Sequence, residues 1–543
     1  MLERRRVDLE AAEEVERLAG DGLHALLAYG SHVAGYARPE SDHDYVAVLD
    51  GFRPRVRYRY EDLSSGAKAS ILLVDKAAFE KDVDRAYLGE FVAGRLFSVY
   101  AAMVNEEYLT RWEKLLKIRA ISEELKELYA EFREFVPQLF VPHTYFLFSK
   151  LRKRMSLYPP VKYSYQRTFF GPAGEENVES SLRMFRAAAE ELASKEVFEC
   201  LPEGVVIPDV KSSKVRLDRF LYRLNLVYRG VKSYLVHGWS ARVSPRTFVG
   251  EFYDKFVREL ESSGVDSVLS EPYRLLGVRA GDVRFYYDEV PLADAVRDLL
   301  GSDWEVGEKE RTSGVLSHLY KVVACRNGES VEFAYKRYSY VGRLKWYPVS
   351  LWTVLSSRYR LSSSARFSNE FEFLSRLREE GFSVPVVRSV MWSQKGLLMD
   401  YVEGEKLSDV LSESRLSEDA VSLMRRAGSL LASVHSRGIV LGDAKPQNVI
   451  VESDGSLCLT DLEQAGEDGN PSWDVAMMVF YGAKFAFDED KTTTLMRGFI
   501  EGYLEEGDAA VVRGAVSLKH VRVFAPLVPP QVLKALVDLC RSF

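Results

Sequence analysis

Residues 436–465, SRGIVLGDAKPQNVIVESDGSLCLTDLEQA, constrain this chain more than any other stretch. Two short apolar runs, Val449-Ile450-Val451 and Leu457-Cys458-Leu459, flank a turn of composition Glu452-Ser453-Asp454-Gly455. Apolar runs bounded by such residues predict two short strands. Asp443 and Asn448 then lie on the loop before the first strand, and Asp461 ends the second. All three can converge on one point. A carboxylate base beside an Asn/Asp pair that holds Mg²⁺ is the set phosphoryl transfer needs, because that chemistry is mostly positioning and charge neutralisation.

The pattern resembles the catalytic loop and metal-binding segment of the protein-kinase-like superfamily. Leu441-Gly442-Asp443 stands where His-Arg-Asp is usual, and Asp461-Leu462-Glu463 where Asp-Phe-Gly is usual. This form is similar to the RIO kinases and the small kinase of the KEOPS complex. Trp473-Asp474-Val475-Ala476 follows after about a dozen residues and resembles the helix beyond the catalytic segment. That spacing leaves no room for a long activation loop or a peptide-docking segment.

Upstream, further parts of the resemblance occur in kinase order. Ser313-Gly314 and Ser317 match the nucleotide-binding loop, and Lys336 ends a predicted strand where the kinase lysine belongs. Glu370 is the expected helix partner of Lys336, preferred to Glu372 because it keeps the spacing to Leu374. Asp400, Tyr401 and Val402 fall at the expected hinge, whose backbone would hold adenine. The resemblance implies Asp443, Lys336, Glu370 and Lys445 as catalytic residues, Asn448 and Asp461 as metal ligands, and ATP and Mg²⁺ as cofactors. His435, at the end of a predicted helix, takes a structural role.

A chain of 543 residues should hold about three domains. The expected class is multidomain α+β: a small mixed-sheet domain over residues 1–105, read from Gly30-Ser31, Asp42 and Asp44 as similar to a nucleotidyltransferase domain, a mainly helical middle over 106–300, and a bilobal protein-kinase-like domain over 301–543. The first assignment comes from Gly30-Ser31, Gly35 and the acidic pair Asp42 and Asp44. On one strand the two carboxylates would face the same side, roughly 6.6 Å apart. Such a pair can hold Mg²⁺ for attack on an α-phosphate. The string resembles the polymerase-β type of nucleotidyltransferase. That family's third carboxylate falls on Ser70 here, and Asp62 or Asp75 fills the place only in a shifted register. Both a second catalytic module and a retained binding module therefore stay open.

The net charge is −7, so an RNA contact must be a local patch. Arg53, Arg55, Arg57 and Arg59 at period two suit successive phosphates, or else protect an edge strand. After the basic run Lys150–Arg154, Tyr158–Arg167 interleaves tyrosines with Lys162 and Arg167. That mix can stack bases and pair phosphates, or pack as a loop on helices. Residues 211–246 carry nine Lys/Arg against one acid, with Arg216, Arg219 and Arg223 on one helical face. A solvated face making salt bridges is the alternative there.

No apolar run is long enough to span a bilayer, and four scattered cysteines predict neither disulfides nor a zinc site. A cytoplasmic protein is expected. The leading functional reading is a RIO-like kinase acting on RNA, a tRNA hydroxyl, as in archaeal RIO-like tRNA kinases. A protein serine/threonine kinase, a bifunctional nucleotidyltransferase/kinase and an RNA-delivering scaffold are the alternatives.

Overall fold

The computed structural model describes residues 7–158, 161–208, 267–307, 310–313, 317–338, 360, 362–412, 416–486 and 488–543. The chain divides into two compact units, Met1–Arg279 and Ala280–Phe543. The first holds both regions that the sequence reading separates at residue 105. Residues 280–300, read with the helical middle, fold with the second unit instead, because Arg284–Tyr286 pairs with a strand of its sheet.

In the first unit, helix α1 (Leu9–Ala19) starts at Asp8, whose carboxylate accepts the N–H groups of Glu10 and Ala11. Strands β1 (Leu23–Tyr29), β2 (His43–Leu49), β3 (Val56–Asp62), β4 (Lys68–Asp75) and β5 (Ala101–Val104) form one sheet in the order β3-β4-β2-β1-β5. Only the β2–β4 pairing is parallel, so the sheet is mixed. One face packs on α1 through Val15, Leu26, Ala28, Tyr45, Ala47, Ile71 and Leu73. The opposite face is also covered: Leu27, Val46, Leu72 and Val74 are buried. Continuous apolar runs such as Ile71–Val74 follow from burial on both sides.

Strand β3 lies at the sheet edge, with Arg57 and Arg59 exposed. Only Arg57 and Arg59 of the four period-two arginines belong to it, since the strand starts at Val56. Arg55, before it, is bonded to the Tyr87 hydroxyl.

Helices α2 (Ser31–Ala34) and α3 (Lys76–Arg85) precede helix α4 (Glu106–Phe132), which buries Ile121, Leu125, Leu128 and Phe132 at three- and four-residue intervals. It also buries charge. Glu124 accepts from Lys153 at 2.6 Å and Glu123 from Lys150 at 2.7 Å, both lysines coming from helix α5 (His143–Leu157). Arg154 donates to the Tyr165 hydroxyl at 2.8 Å and to the Glu90 carbonyl at 2.9 Å. Three of the four basic groups in the run Lys150–Arg154 are thus spent inside the unit. Tyr158–Arg167, open between loop and contact surface, contains the start of helix α6 (Val161–Phe170), which buries Tyr165, Thr168 and Phe169. Lys162 is half-buried on that helix, and Arg167 is exposed with its guanidinium 6.0 Å from the Tyr163 ring. Arg216, Arg219 and Arg223 lie outside the described residues.

The second unit opens with strand β6 (Arg284–Tyr286), helix α7 (Leu292–Leu300) and strands β7 (Glu305–Val306), β8 (Glu310–Ser313), β9 (Ser317–Arg326) and β10 (Glu329–Tyr338). Helix α8 (Ser363–Glu379) follows, then β11 (Val387–Met391) and β12 (Gly396–Asp400). These seven strands make one sheet, in which β10 pairs with both β9 and β12. A smaller antiparallel sheet consists of Glu405–Lys406, β13 (Val449–Val451) and β14 (Leu457–Leu459).

The other regular elements among the described residues of this unit are helices, including α9 (Glu418–Ser436), α10 (Pro471–Ala476) and α11 (Glu489–Tyr503). Helices α9 and α11 meet backbone to backbone at Gly428, where an added Cβ would lie 2.0 Å from the Phe499 carbonyl oxygen. Neither helix backbone can yield that distance without losing packing. Gly428→Ala is therefore expected to destabilise the second unit by about 1–3 kcal/mol, the usual cost of overpacking. A urea midpoint equal to that of the parent protein would contradict this close crossing.

Candidate active site

The two short strands anticipated around Glu452–Gly455 pair as a hairpin, β13 with β14, with Val449 opposite Leu459. Asn448 and Thr460 therefore flank its open end, where Thr460 N–H donates to the Asn448 carbonyl at 2.8 Å. Asp443, Lys445, Asn448 and Asp461 all line one pocket, backed by Leu431, Leu441, Leu459, Leu462 and Met478. The hairpin brings the sequence motif together, as its spacing requires.

Within the pocket, Lys445 Nζ donates to Asp443 Oδ2 at 2.6 Å. Asn448 Nδ2 donates to the Asp443 carbonyl at 2.9 Å, which leaves Asn448 Oδ1 facing away from that bond. Burial raises the Asp443 carboxyl above its ordinary range, with Lys445 partly offsetting the effect. Burial also acts on Asp461, but Lys336, Lys445 and Arg366 together outweigh it and hold that carboxyl below the usual range.

Lys336 sits on β10 between two sheet neighbours, which buries it. Its ammonium contacts Glu370 at 2.5 Å and Asp461 at 2.6 Å. The geometry selects Glu370, which is buried on α8, over the half-buried Glu372. Burial raises the Glu370 carboxyl in spite of Lys336. At the hinge, Asp400 is committed through both oxygens to Arg388, at 2.7 and 2.6 Å. Tyr401 N–H donates to the Glu332 carbonyl at 3.2 Å, whereas Val402 N–H has no partner among the described residues. The backbone edge open to a base is thus at Val402. Ser313 and Ser317 end β8 and begin β9, and Gly314 lies outside the described residues.

The loop carrying Asp443 is fixed from below by Asp474 and Trp473, neither given a site role from sequence. Asp474 is fully buried and accepts the N–H groups of Leu441 at 2.6 Å and Gly442 at 2.8 Å. His435 bridges Asp474, at 3.2 Å, and the Tyr503 hydroxyl, at 2.8 Å, in keeping with a structural role. Trp473 Nε1 donates to the Gly442 carbonyl at 2.9 Å. Their signal was the Trp-Asp pair itself, a carboxylate at the head of the apolar run Val475–Phe480.

Glu463 and Arg366 were also missed. Both are buried and lie 3.2 Å apart. Burial, then Asp461, pushes the Glu463 carboxyl up to about 7. Asn369 on the same face of α8 donates to the Leu462 carbonyl at 3.2 Å and the Ala465 carbonyl at 2.9 Å. Arg366, Asn369 and Glu370 share that face by helical spacing and together grip residues 461–465.

In the first unit, Gly30 lies against Asp44: a Cβ there would be 2.2 Å from Asp44 Oδ2. Ser31 begins a four-residue helical turn. Strand β2 begins at His43, so Asp42 precedes it and is exposed, and the two carboxylates do not share a strand as expected. Asp44 is the Cα partner of Ser70 on β4 and of Tyr29 on β1. No third carboxylate joins them, since the described residues gather three potential ligands only at Glu370, Asp461 and Glu463. Arg95 stands on the same sheet face, hydrogen-bonded to the Tyr58 hydroxyl at 3.1 Å and 5.5 Å from the Tyr29 ring centre.

Comparison with known proteins bears on the second unit. A family described as "RIO domain" matches residues 353–478, a span that takes in Glu370, Asp443, Asn448 and Asp461 but not Lys336. The chain is similar to the KEOPS complex subunit Bud32 of Pyrococcus abyssi, 27% identical over 160 residues, covering 28% of this chain and 71% of that protein. It is also similar to a probable serine/threonine-protein kinase BUD32 homolog of Archaeoglobus fulgidus, 28% identical over 168 residues, 30% of this chain and 80% of that protein. A third relative, the EKC/KEOPS complex subunit bud32 of Emericella nidulans, is 27% identical over 165 residues, covering 25% of this chain and 58% of that protein. Among the described residues no helix is long and apolar enough to cross a membrane. With a match to the RIO domain over residues 353–478 and similarity to Bud32 proteins over the same half of the chain, the protein is a kinase, a phosphotransferase whose C-terminal half is similar to the RIO and Bud32 kinases.

Proposed function

We propose that the second unit transfers the γ-phosphate of ATP to a hydroxyl of an RNA, most specifically a tRNA. The observation that carries the acceptor assignment is the shortness of the segment after Asp461. Only residues 462–470 separate it from α10, and they are clamped to α8 and bridged to Val440 by Gly466. A peptide substrate of a protein kinase is usually received on that segment, and here it has no free length to offer. The similarity to KEOPS subunits supports the RNA reading.

In this reading Asp443 accepts the proton of the attacking hydroxyl, and Lys445 neutralises the phosphoryl group in flight. Lys336 holds the α- and β-phosphates, kept in place by Glu370. Adenine meets the hinge at Val402. Asp461 and the open Oδ1 of Asn448 would hold Mg²⁺, which supplies charge neutralisation between the phosphates. The donor set fits that ion: hard oxygens from a carboxylate held ionised and a side-chain amide. At the pocket itself Asp443 and Asp461 face the single lysine Lys445, while Lys336 behind it is already paired with Glu370 and Asp461. A polyanionic nucleotide therefore needs added positive charge to enter.

The first unit serves as a substrate-binding module. Ser70 beside Asp44 supports binding over nucleotidyl transfer, because the chemistry of an α-phosphate attack needs a carboxylate there. A protein serine/threonine kinase is the second reading, supported by the Archaeoglobus fulgidus relative.

The test is to incubate the full chain with Mg²⁺, bulk tRNA and ATP labelled at either the γ- or the α-phosphate. The expected result is γ-label on RNA that is lost with Asp443→Asn and kept with Asp44→Ala at reduced efficiency. Label confined to protein hydroxyls would replace the RNA reading with the second one. Label from the α-phosphate entering RNA in an Asp44-dependent way would overturn the binding-module assignment.

A further inference from the structure

The residue that replaces the glycine of the usual Asp-Phe-Gly is a buried carboxylate, and its surroundings give it work. Lys336 Nζ lies 2.5 Å from Glu370, 2.6 Å from Asp461 and 3.9 Å from Glu463. Glu463 is held on its other side by Arg366, at 3.2 Å. All of these groups except Asp461 are buried.

Asp461 faces two claims. In this structure it is a close partner of Lys336, and in the function proposed above it is a cation ligand. A carboxylate whose lone pairs go to a divalent cation is a weaker partner for an ammonium group. Glu370 remains, but the oxygen that meets Lys336 also accepts the Tyr338 hydroxyl. A buried ammonium with incomplete compensation is costly and moves easily. Glu463 is the next carboxylate within reach, already aligned and needing a shift of about 1 Å to reach hydrogen-bond distance. A glycine at that position offers nothing comparable.

We propose that Glu463 is a positioning residue: held by Arg366, it keeps Lys336 paired and pointed at the phosphates when Asp461 turns to a divalent cation. The inference rests on the kinase reading of this pocket. It makes the Arg366–Glu463 pair more than a structural link between α8 and the segment after Asp461. Arg366 stands one helical turn before Glu370, so the same helix face sets both carboxylates around one lysine.

The experiment compares full-length wild type, Glu463→Gln, Arg366→Met and the double variant. It measures the dissociation constant of ATP in Mg²⁺ and in EDTA by calorimetry, steady-state ATP turnover, and the thermal midpoint. Arg366→Met alone takes from the buried Glu463 its nearer cation, leaving only Lys336 at 3.9 Å, and is expected to lower the thermal midpoint. The double variant removes both charges and recovers it. In Glu463→Gln and in the double variant, the tightening of ATP binding by Mg²⁺ should fall by about tenfold, with ATP binding in EDTA little changed. Turnover should fall by a similar factor, roughly tenfold, and stay low at raised Mg²⁺.

If the double variant regains wild-type turnover and Mg²⁺ response, Glu463 only compensates Arg366 and the proposal is overturned. If raised Mg²⁺ restores Glu463→Gln, the carboxylate binds the cation itself, which also overturns it. A wild-type protein that binds ATP but turns none over would count against the kinase reading instead, a separate failure read from the first control.

Discussion

Asp443→Asn should lower the rate of phosphoryl transfer by about 10²–10⁴-fold, the usual contribution of a positioned general base. The substitution is nearly isosteric, and the Asn448 bond to the residue 443 carbonyl does not depend on the side chain. ATP affinity should therefore change little, and the loss should fall on the transfer step. The pH dependence gives a second reading. Asp443 must be ionised to accept a proton, and burial raises its carboxyl above the ordinary range. Activity is then lost as pH falls through that raised value, so the acidic limb lies higher than for an exposed aspartate. The limb should disappear from the residual activity of the variant. Single-turnover measurements with γ-labelled ATP across pH decide the matter: an unchanged limb in Asp443→Asn would assign the base to another group.

Asp474→Ala should produce the largest loss of stability in the second unit. Two backbone donors, Leu441 N–H and Gly442 N–H, point at its carboxylate in a fully buried position. Orphaning them costs about 1–3 kcal/mol each. His435 loses a partner as well, and Tyr503 is left as its remaining contact. Asp474→Asn keeps the volume and one acceptor oxygen, so about half the loss is expected. Because the residue immediately after these two donors is Asp443, the surviving folded protein should also transfer phosphate more slowly while binding ATP normally. Urea unfolding of both variants tests the first claim. Equal midpoints for Ala and wild type would mean that the loop is held by something other than Asp474.

The sequence alone was informative where chemistry is local. Asp443, Asn448 and Asp461 are tied by a loop of fixed length and a short hairpin, so their convergence follows from spacing and strand pairing. Lys336 and Glu370 were matched to each other through the resemblance to kinases, and the structure sets them 2.5 Å apart. The apolar stripe along α4 was legible from its three- and four-residue spacing, a periodic pattern that tertiary packing did not override. Asp44 and Ser70 are brought side by side by a parallel strand pairing whose register is fixed by two buried faces.

Three things were decided only by the tertiary structure. Charge runs cannot report direction: Lys150, Lys153 and Arg154 read as a basic patch, yet they turn inward because Glu90, Glu123 and Glu124 come from elsewhere in the chain. Strand ends depend on partners, which is why β2 starts at His43 and leaves Asp42 outside it. Long-range polar pairs leave no local signal at all. Arg366 and Glu463 are 97 residues apart, and Asp474 meets Leu441 across 33. Each is defined by a buried group that needs a partner, a requirement that exists only after the chain has excluded water from the site.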